Sequence, residues 1–360
     1  MANYREVEIR APESIATAGS KRINLDVTEP ITRLDVIWKK TNSNRTPIAH
    51  PGLIVSRLEV IDGSDVLFSM PGSEAVALAY YKSGLVPGIM INYELGQWSM
   101  VCASIYFGRH MWDEKLALDP RRFSNLQIKI AHNLALGGST GTVADLSVYA
   151  HVFDEKQVQP IGFLQAKEIY SYLGAASSWY YIDMPSDHQI RAVMFGCDQA
   201  TEGPDYEFEE FKIEEAQGKR VIMHDTAERY CFQAAARDPL WGEHVILKPA
   251  AAATDLTFYG TPHWERRFVG NVEGTAYAIA GVSNAGCLFK VQNATAAAII
   301  EGWIFGHCPF GQLYIPFGEP EGMEFWDVNR AGSGKLSIKN GASSDTDEYV
   351  RVFVDQCRKY

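Results

Sequence analysis

The sequence contains no long apolar run and no apolar segment near its start. No stretch reaches the 18 or so apolar residues of a membrane-spanning helix, and the first ten residues, MANYREVEIR, alternate between polar and apolar. We therefore expect neither a transmembrane helix nor a secretory signal. Charged residues make up only 21% of the 360 residues and aromatic residues 12%, which is typical of a globular chain and excludes a disordered one.

The residue spacings of metal and redox sites are also missing. The cysteines are scattered without a CxxC pair, and neither HExxH nor a pair of histidines one residue apart occurs. Because the cysteines lie mostly in apolar runs, we expect buried free thiols, and no cofactor or metal ligand is predicted. The six are Cys102, Cys197, Cys231, Cys287, Cys308 and Cys357.

Positive charge is scarce, since 33 Lys and Arg stand against 44 Asp and Glu, for a net charge of −11. This balance, with no Arg-rich arm, argues against direct nucleic-acid binding. Residues 1–50 are mildly basic, with eight basic against six acidic side chains. Their Arg5, Arg10, Lys21 and Arg22 could contact anionic lipid headgroups, and ordinary surface charge is the alternative.

Short alternating segments dominate the first half of the chain. Apolar and polar residues alternate with period 2, and Gly, Pro, Asn and Asp separate the segments, which predicts the strands of a sandwich. The eight predicted strands are 7–11, 22–27, 31–40, 53–61, 65–70, 98–107, 125–132 and 145–153.

Three segments have helical character instead. PGSEAVALAYYKSG (71–84) and TAERYCFQAAA (226–236) are rich in Ala and each follows a predicted strand. PIGFLQAKEIYSYLG (160–174) begins at a proline and ends at a glycine, so we expect a helix there that connects the two halves.

The second half of the chain repeats the first in the same order. SNLQIKI (124–130) recurs as GKLSIKN (334–340), at an offset of 210 residues. The other matches pair 23–36 with 182–195, GSDVLF (63–68) with GKRVIM (218–223), IYFG (105–108) with IPFG (315–318), and 147–153 with 349–355. The offset is 155 residues for the pair GSDVLF and GKRVIM and 210 residues for the pair IYFG and IPFG. The second half therefore carries about 55 more residues between these two segments.

These patterns predict an all-β fold of two tandem eight-stranded jelly rolls, with one short helix in each and a connecting helix. We expect an N-terminal jelly roll over 1–156, a connecting segment over 157–178, and a C-terminal jelly roll over 179–360 with its insertion within 237–305.

No catalytic residue is predicted. His307 and Cys308 are adjacent, and neighbouring strand residues point to opposite faces, so they do not form a nucleophile–base pair. Asp187 and His188 lack nameable partners for a metal site.

Carboxylates and tryptophans leave one enzymatic alternative open. Glu207 and Glu209 would lie on one strand face and could act as an acid/base pair, and three tryptophans could form a sugar platform. A solvated acidic strand and core or subunit-contact aromatics are the competing interpretation. The alternative function is therefore a jelly-roll polysaccharide-active enzyme or a lectin-like carbohydrate-binding protein. The tryptophans are Trp264, Trp303 and Trp326.

The chain resembles the double jelly-roll major capsid proteins of tailless icosahedral bacteriophages with an internal membrane, the PRD1/PM2-like group. The resemblance covers nearly the whole chain. It rests on the tandem units, on the helix that follows GSDVLF and GKRVIM, on the segment near 157–178, and on the opening IRAPESIATAGSKRINLDVTEPITRLDVIW.

This resemblance implies a structural protein without catalysis. Such proteins form pseudo-hexagonal homotrimers that assemble into an icosahedral shell around an internal membrane. The implied partners are other copies, neighbouring trimers, minor capsid, vertex and membrane proteins, and the lipid itself. The implied location is the virion, after synthesis in the host cytoplasm. Part of 237–305 would form an outward tower.

Overall fold

The computed structural model describes residues 3–248, 254–272, 278–281, 286–294, 299–342, 344 and 349–360. The strands of the first half are β1 Tyr4–Ile15, β2 Ala18–Asn24, β3 Ile31–Thr41, β4 Pro47–Ala49, β5 Val55–Asp62, β6 Asp65–Met70, β7 Ile89–Asn92, β8 Trp98–Tyr106, β9 Leu126–Asn133, β10 Gly138–Ser139 and β11 Val143–Phe153. Those of the second half are β12 Gly162–Leu173, β13 Trp179–Asp183, β14 Gln189–Gly196, β15 Phe208–Glu215, β16 Arg220–Thr226, β17 Trp241–Leu247, β18 Thr254–Tyr259, β19 Pro262–Val272, β20 Ala278–Gly281, β21 Leu288–Ala294, β22 Ile300–Pro309, β23 Gln312–Pro316, β24 Gly334–Asn340 and β25 Tyr349–Lys359. The α-helices are α1 Gly72–Ser83, α2 Pro204–Glu207, α3 Ala227–Arg237 and α4 Val328–Ala331, and single 3₁₀ turns span Pro51–Ile54, Pro120–Arg122 and Leu134–Leu136.

The first half folds as a jelly roll, here called the first roll. Its strands form two facing arrays in the orders β1-β11-β3-β8 and β2-β9-β5-β6. Period-2 alternation is why these segments become strands: in β9, Leu126, Ile128 and Ile130 are buried, while the residues between them are partly exposed. All eight strands predicted from the pattern are confirmed.

The second half repeats this topology, and we call it the second roll. Its arrays run β12-β25-β14-β23 and β13-β24-β15-β16, which is the order of the first roll strand for strand. The repeated phrases lie in corresponding strands, since LQIK is in β9 and LSIK is in β24. The tandem pair of jelly rolls is therefore confirmed.

The helix expected over 160–174 is wrong, because the chain from Gly162 to Leu173 is strand β12. β12 pairs antiparallel with β25 along its length and parallel with β6 at Ala166 and Lys167. Its first five residues are all buried, so this part of the strand shows no alternation and resembles a helix in composition. The division at 156/157 and 178/179 stays a prediction.

The two helices predicted to follow the repeated strands are confirmed. α1 ends at Gly84, whose left-handed backbone (φ 67°) lets its N–H reach the carbonyl of Tyr80. α3 begins after Thr226, whose hydroxyl accepts from the N–H of Arg229.

Six strands, β17 to β22, lie between α3 and β23. β17, β22 and β19 extend the first roll's sheet beyond β8 and β7, and β18, β21 and β20 form a separate three-stranded sheet. β17 pairs parallel with β7, so this second-half segment is joined to the first roll. Part of the predicted insertion, at 249–253, 273–277, 282–285 and 295–298, lies outside the described residues.

The largest hydrophobic cluster crosses from one roll to the other. It fills the first roll and also contains Met194, Tyr314 and Phe353 of the second. A separate cluster, which includes Phe211 and Ile338, fills the interior of the second roll. Because a shared cluster couples the rolls, we expect them to unfold together.

Truncating one equivalent core residue in each roll tests this coupling. Ile128 and Ile338 are both fully buried, so Ile128→Ala and Ile338→Ala should each lower the free energy of unfolding by about 2–5 kcal/mol. Urea denaturation followed by circular dichroism and tryptophan fluorescence should show one transition shifted in each variant. The exposed Val143→Ala serves as a control and should change little. Two separate transitions, with only one moved by each variant, would contradict a shared core.

Candidate functional site at the seam between the rolls

The candidate catalytic and binding residues predicted from the sequence do not lie together in the structure. Glu207 ends α2 and is buried, where its carboxylate accepts from the Ser344 hydroxyl at 2.6 Å. Glu209 is exposed on β15 and pairs with Lys339 at 2.7 Å. The expectation that both glutamates share one strand face is wrong, because the chain is helical up to Glu207 and extended from Phe208.

The predicted tryptophan platform divides between two regions. Trp326 is buried against Phe317 and donates to Glu215 at 2.9 Å. Trp303 and Trp264 lie instead on β22 and β19, in the extended sheet.

Histidine and cysteine candidates are separated in the same way. Cys308 is buried with its sulfur 3.9 Å from that of Cys231, whereas His307 is half-buried beside Trp264, where burial lowers its pKa. Asp187 accepts from Gln356, and no group of three or more metal-ligating side chains occurs among the described residues. The cysteines are free thiols; five are buried and Cys102 is partly exposed.

What the fold does bring together is a seam between the rolls. β6 and α1 of the first roll face β12, β23 and β25 of the second roll, and we use "seam" for this contact. Tyr81 of α1 stacks on Tyr314 of β23 with ring centroids 5.0 Å apart and nearly parallel planes. Its hydroxyl donates to the carbonyl of Gln312 at 2.7 Å. The helix is therefore held against the sheet of the other roll by both stacking and a hydrogen bond.

Two buried charges of α1 find their partners on β25. Glu74 is fully buried and pairs with Arg351 at 2.8 Å, and burial raises its pKa while Arg351 opposes the shift. Lys82 pairs with Asp355 at 3.2 Å, and burial lowers the pKa of Lys82 to about 8. Separating the rolls would leave such charges without their partners, which is costly for buried groups.

A buried chain of hydrogen bonds joins the first roll to β17 and β19. The N–H of Gly52 donates to Nδ1 of His50 at 2.9 Å, so His50 carries its proton on Nε2 and donates it to the Thr261 hydroxyl at 3.0 Å. Thr261 in turn donates to Glu243 from its hydroxyl and, at 2.7 Å, from its backbone N–H. The indole of Trp241 adds a third donor at 3.1 Å.

This arrangement places a carboxyl group with a raised pKa, that of Glu243, at the junction. Burial raises the pKa of Glu243 to about 7, although the donors from Thr261 and Trp241 favour its ionised form. Burial also lowers the pKa of His50 to about 3, so His50 stays neutral in the folded chain.

A groove beside α3 exposes apolar side chains at the surface. It has a volume of about 660 Å³ and lies between α3 and the strands β19 and β22. Phe232 on α3 is 71% exposed, and Leu240 and Val269 are also exposed at this groove. Such a concentration of exposed apolar side chains is typical of a surface that contacts another protein. We call it the α3 groove; its lining residues include Phe232, Ala236, Leu240, Trp264, Val269 and Phe305.

Sequence reasoning missed the seam residues. Their partners are far apart in the chain, as with Lys82 and Asp355, so no local spacing marks them. A charged residue inside an apolar run, such as Asp355 in VFVDQC or Glu243 in LWGEHVIL, is the signal that could have found them.

In the part of the chain that the structure describes, no helix is both long and apolar enough to cross a membrane.

Comparison with known proteins gives a likeness of fold. No family model matches the sequence, and no curated protein matches it. Among solved structures, the MCP of STIV, the Sulfolobus Turreted Icosahedral Virus, matches with a TM-score of 0.58 at 10% identity, covering 98% of this chain and 96% of that one. VP54 of PBCV-1 matches with a TM-score of 0.58 at 10% identity, over 99% and 94% of the two chains. Major capsid protein P2 of bacteriophage PM2 matches with a TM-score of 0.52 at 11% identity, over 99% and 98%.

These neighbours are double jelly-roll major capsid proteins, and the match extends over nearly the full length of each chain. At this level of identity the likeness establishes the fold. This chain is a double jelly roll.

The raised pKa of Glu243 predicts a pH-dependent stability. Between about pH 4.5 and 7 the folded chain keeps a proton that the unfolded chain releases, so this group's contribution to stability falls as the pH rises and is constant above 7. Glu243→Gln cannot ionise. The free energy of unfolding of the variant minus that of the unmodified protein should therefore increase by about 3 kcal/mol as the pH is raised from 4.5 to 8.

Urea denaturation at several pH values measures this difference. The titration of His50, which lowers stability as the pH falls below 6.5, is present in both proteins and cancels. A stability difference between the two proteins that does not change with pH would show that Glu243 is ionised throughout this range.

Proposed function

We propose that this chain is a major capsid protein that assembles as homotrimers into an icosahedral shell around an internal membrane. The fold shared with major capsid proteins supports the role. The observation that carries the proposal belongs to the chain itself: surfaces that are buried at the seam in one roll are uncovered at the corresponding place in the other.

The helices give the first such comparison. α1 and α3 occupy corresponding positions, each after the fifth of the eight strands that form its roll. α1 has ten of its twelve residues buried because the second roll covers it, whereas α3 has four of eleven. A neighbour placed against α3 as the second roll is placed against α1 would cover the α3 groove.

The paired strands give the second comparison. Within the chain, β6 pairs with β12, and four of six residues of β6 and six of twelve of β12 are buried. Their counterparts, β16 and β1, each have one buried residue and an edge unpaired among the described strands. Edge strands left uncovered in this way favour pairing with another chain.

One contact between copies would satisfy both surfaces at once. If β16 and α3 of one copy meet β1 of the next, the contact between copies imitates the seam within the chain. Repeating it around a closed ring of three copies places six rolls in a pseudo-hexagonal arrangement. Each copy would use its α3 and β16 surface once and its β1 edge once, so no copy is left with an uncovered α3 groove.

The remaining parts of the proposal rest on the family resemblance. The insertion that contains β17 to β22 would face outward as a tower, and minor capsid and vertex proteins would be further partners. Of the four basic residues considered for membrane contact, Arg5, Arg10 and Lys21 pair with acidic side chains, whereas Arg22 has no ion-pair partner among the described residues. Arg22 is therefore the residue of this group that we propose for contact with anionic headgroups. The chain would be synthesised in the host cytoplasm and act in the virion without catalysis.

An apolar-to-charged substitution on α3 tests the contact between copies. Phe232 is highly exposed in a single copy, so Phe232→Asp should fold normally but prevent trimer formation, because a charge would be buried in the contact. Light scattering coupled to size-exclusion chromatography measures the mass, and electron microscopy shows whether shells form.

Leu136→Asp provides the matched control. Leu136 is 44% exposed in the first roll, and this variant should form trimers as the unmodified protein does. A trimeric Phe232→Asp protein would overturn the proposed contact, and an unmodified protein that stays monomeric at high concentration would overturn the capsid role itself.

A further inference from the structure

A second cavity, distinct from the α3 groove, lies between the two rolls. It has a volume of about 650 Å³ and is lined by the end of α1, the starts of β3 and β14, the end of β23, and the loop that follows α3. Its lining includes Lys82 and Arg191, which come from the first and second roll respectively.

These two cations share a single carboxylate. Lys82 Nζ lies 3.2 Å from Asp355 Oδ1, and Arg191 Nη1 lies 3.2 Å from Asp355 Oδ2. The side chains of Lys82, Arg191 and Asp355 are 3%, 8% and 2% exposed. Within this buried group two positive charges share one negative charge, an arrangement that a further anion would stabilise.

The guanidinium of Arg191 is also only partly used. Its hydrogen bonds to described residues all run from Nη1, to Asp355 and to the Tyr314 hydroxyl at 3.2 Å. Nε is buried and has no acceptor among the described residues. Nε and Nη2 form one edge of the guanidinium, which is the geometry that binds an oxyanion through two parallel hydrogen bonds.

The other charged groups that line the cavity are already compensated or lie at its rim. Arg33, Arg109 and Arg237 pair with Asp35, Asp113 and Asp238 at 2.7–2.8 Å. His110 pairs with the exposed Glu321, and Glu319 is a further acidic residue of the lining. Glu319 and Glu321 are exposed at the rim, and the charge of Glu321 also acts on Arg191. In the buried part of the lining, Lys82 and Arg191 are the two cations that share one carboxylate.

We propose that this cavity binds a small oxyanion of the phosphate or carboxylate type, held by the free edge of Arg191 and the ammonium group of Lys82. Because the two cations belong to different rolls, the bound anion stabilises the seam. This inference does not depend on the capsid role.

Thermal unfolding of the full chain in increasing inorganic phosphate tests the site. At constant ionic strength set with sodium chloride, the melting temperature should rise with phosphate and reach saturation, as expected for a ligand that binds only the folded state. A parallel titration with acetate distinguishes a carboxylate from a phosphate preference. A rise that is linear, or equal to that in chloride alone, would overturn the proposal.

Variants of Arg191 locate the effect. Arg191→Gln should weaken phosphate binding at least tenfold by isothermal titration calorimetry, and Arg191→Lys, which keeps the charge but lacks the second donor edge, should weaken it as well. Arg220→Gln is the control, since Arg220 is 71% exposed, pairs with Glu215 and does not line this cavity. Because Arg191→Lys preserves the buried charge, it keeps the test valid if Arg191→Gln does not fold. Unchanged affinity in a folded Arg191 variant would show that phosphate binds elsewhere.

Discussion

The burial of α1 between the two rolls is the constraint on which the rest of the structure depends. A helix on a protein surface normally has one polar face, but α1 is covered on nearly all sides, and even Glu74 and Lys82 lie inside. Both charges are matched by residues of β25, so the position of the second roll is fixed by electrostatics as well as by packing. The parallel pairing of β6 with β12 and the shared hydrophobic cluster act in the same direction. These contacts hold the two rolls against each other and so define how their uncovered surfaces are placed.

Duplication explains why those uncovered surfaces exist. The same topology occurs twice, so each roll has a helix after the fifth of its eight strands and an edge strand at each side. Within the chain, the contact between the rolls covers α1, β6 and β12, whereas the corresponding elements α3, β16 and β1 are left uncovered. The six strands between α3 and β23 break the symmetry, because three of them, β17, β19 and β22, extend the sheet of the first roll, and the other three form a separate sheet. The two rolls share one plan but present different surfaces.

Sequence reasoning succeeded where one face of a strand is buried and the other is not. β9 and β24 keep the same inward pattern, so both the strands and their repetition were visible. It failed at β12, whose first five residues are covered on both faces and therefore lack alternation. It also misplaced Glu207, because the turn of helix that ends there precedes the strand by only one residue. The ion pairs across the seam could not be predicted from the sequence, because partners such as Glu74 and Arg351 are 277 positions apart and neither belongs to a recognisable spacing.

The position of β25 has a consequence for how the molecule is made. This strand inserts between β12 and β14, and it also supplies Arg351 and Asp355 to α1. The chain emerges from the ribosome in order, so the second roll and the seam both remain open until residues 349–359 are available. Contacts of such long sequence separation form slowly compared with local ones. Closure of the molecule is thereby delayed until β25 has been synthesised, and nascent chains that lack this strand cannot form the seam.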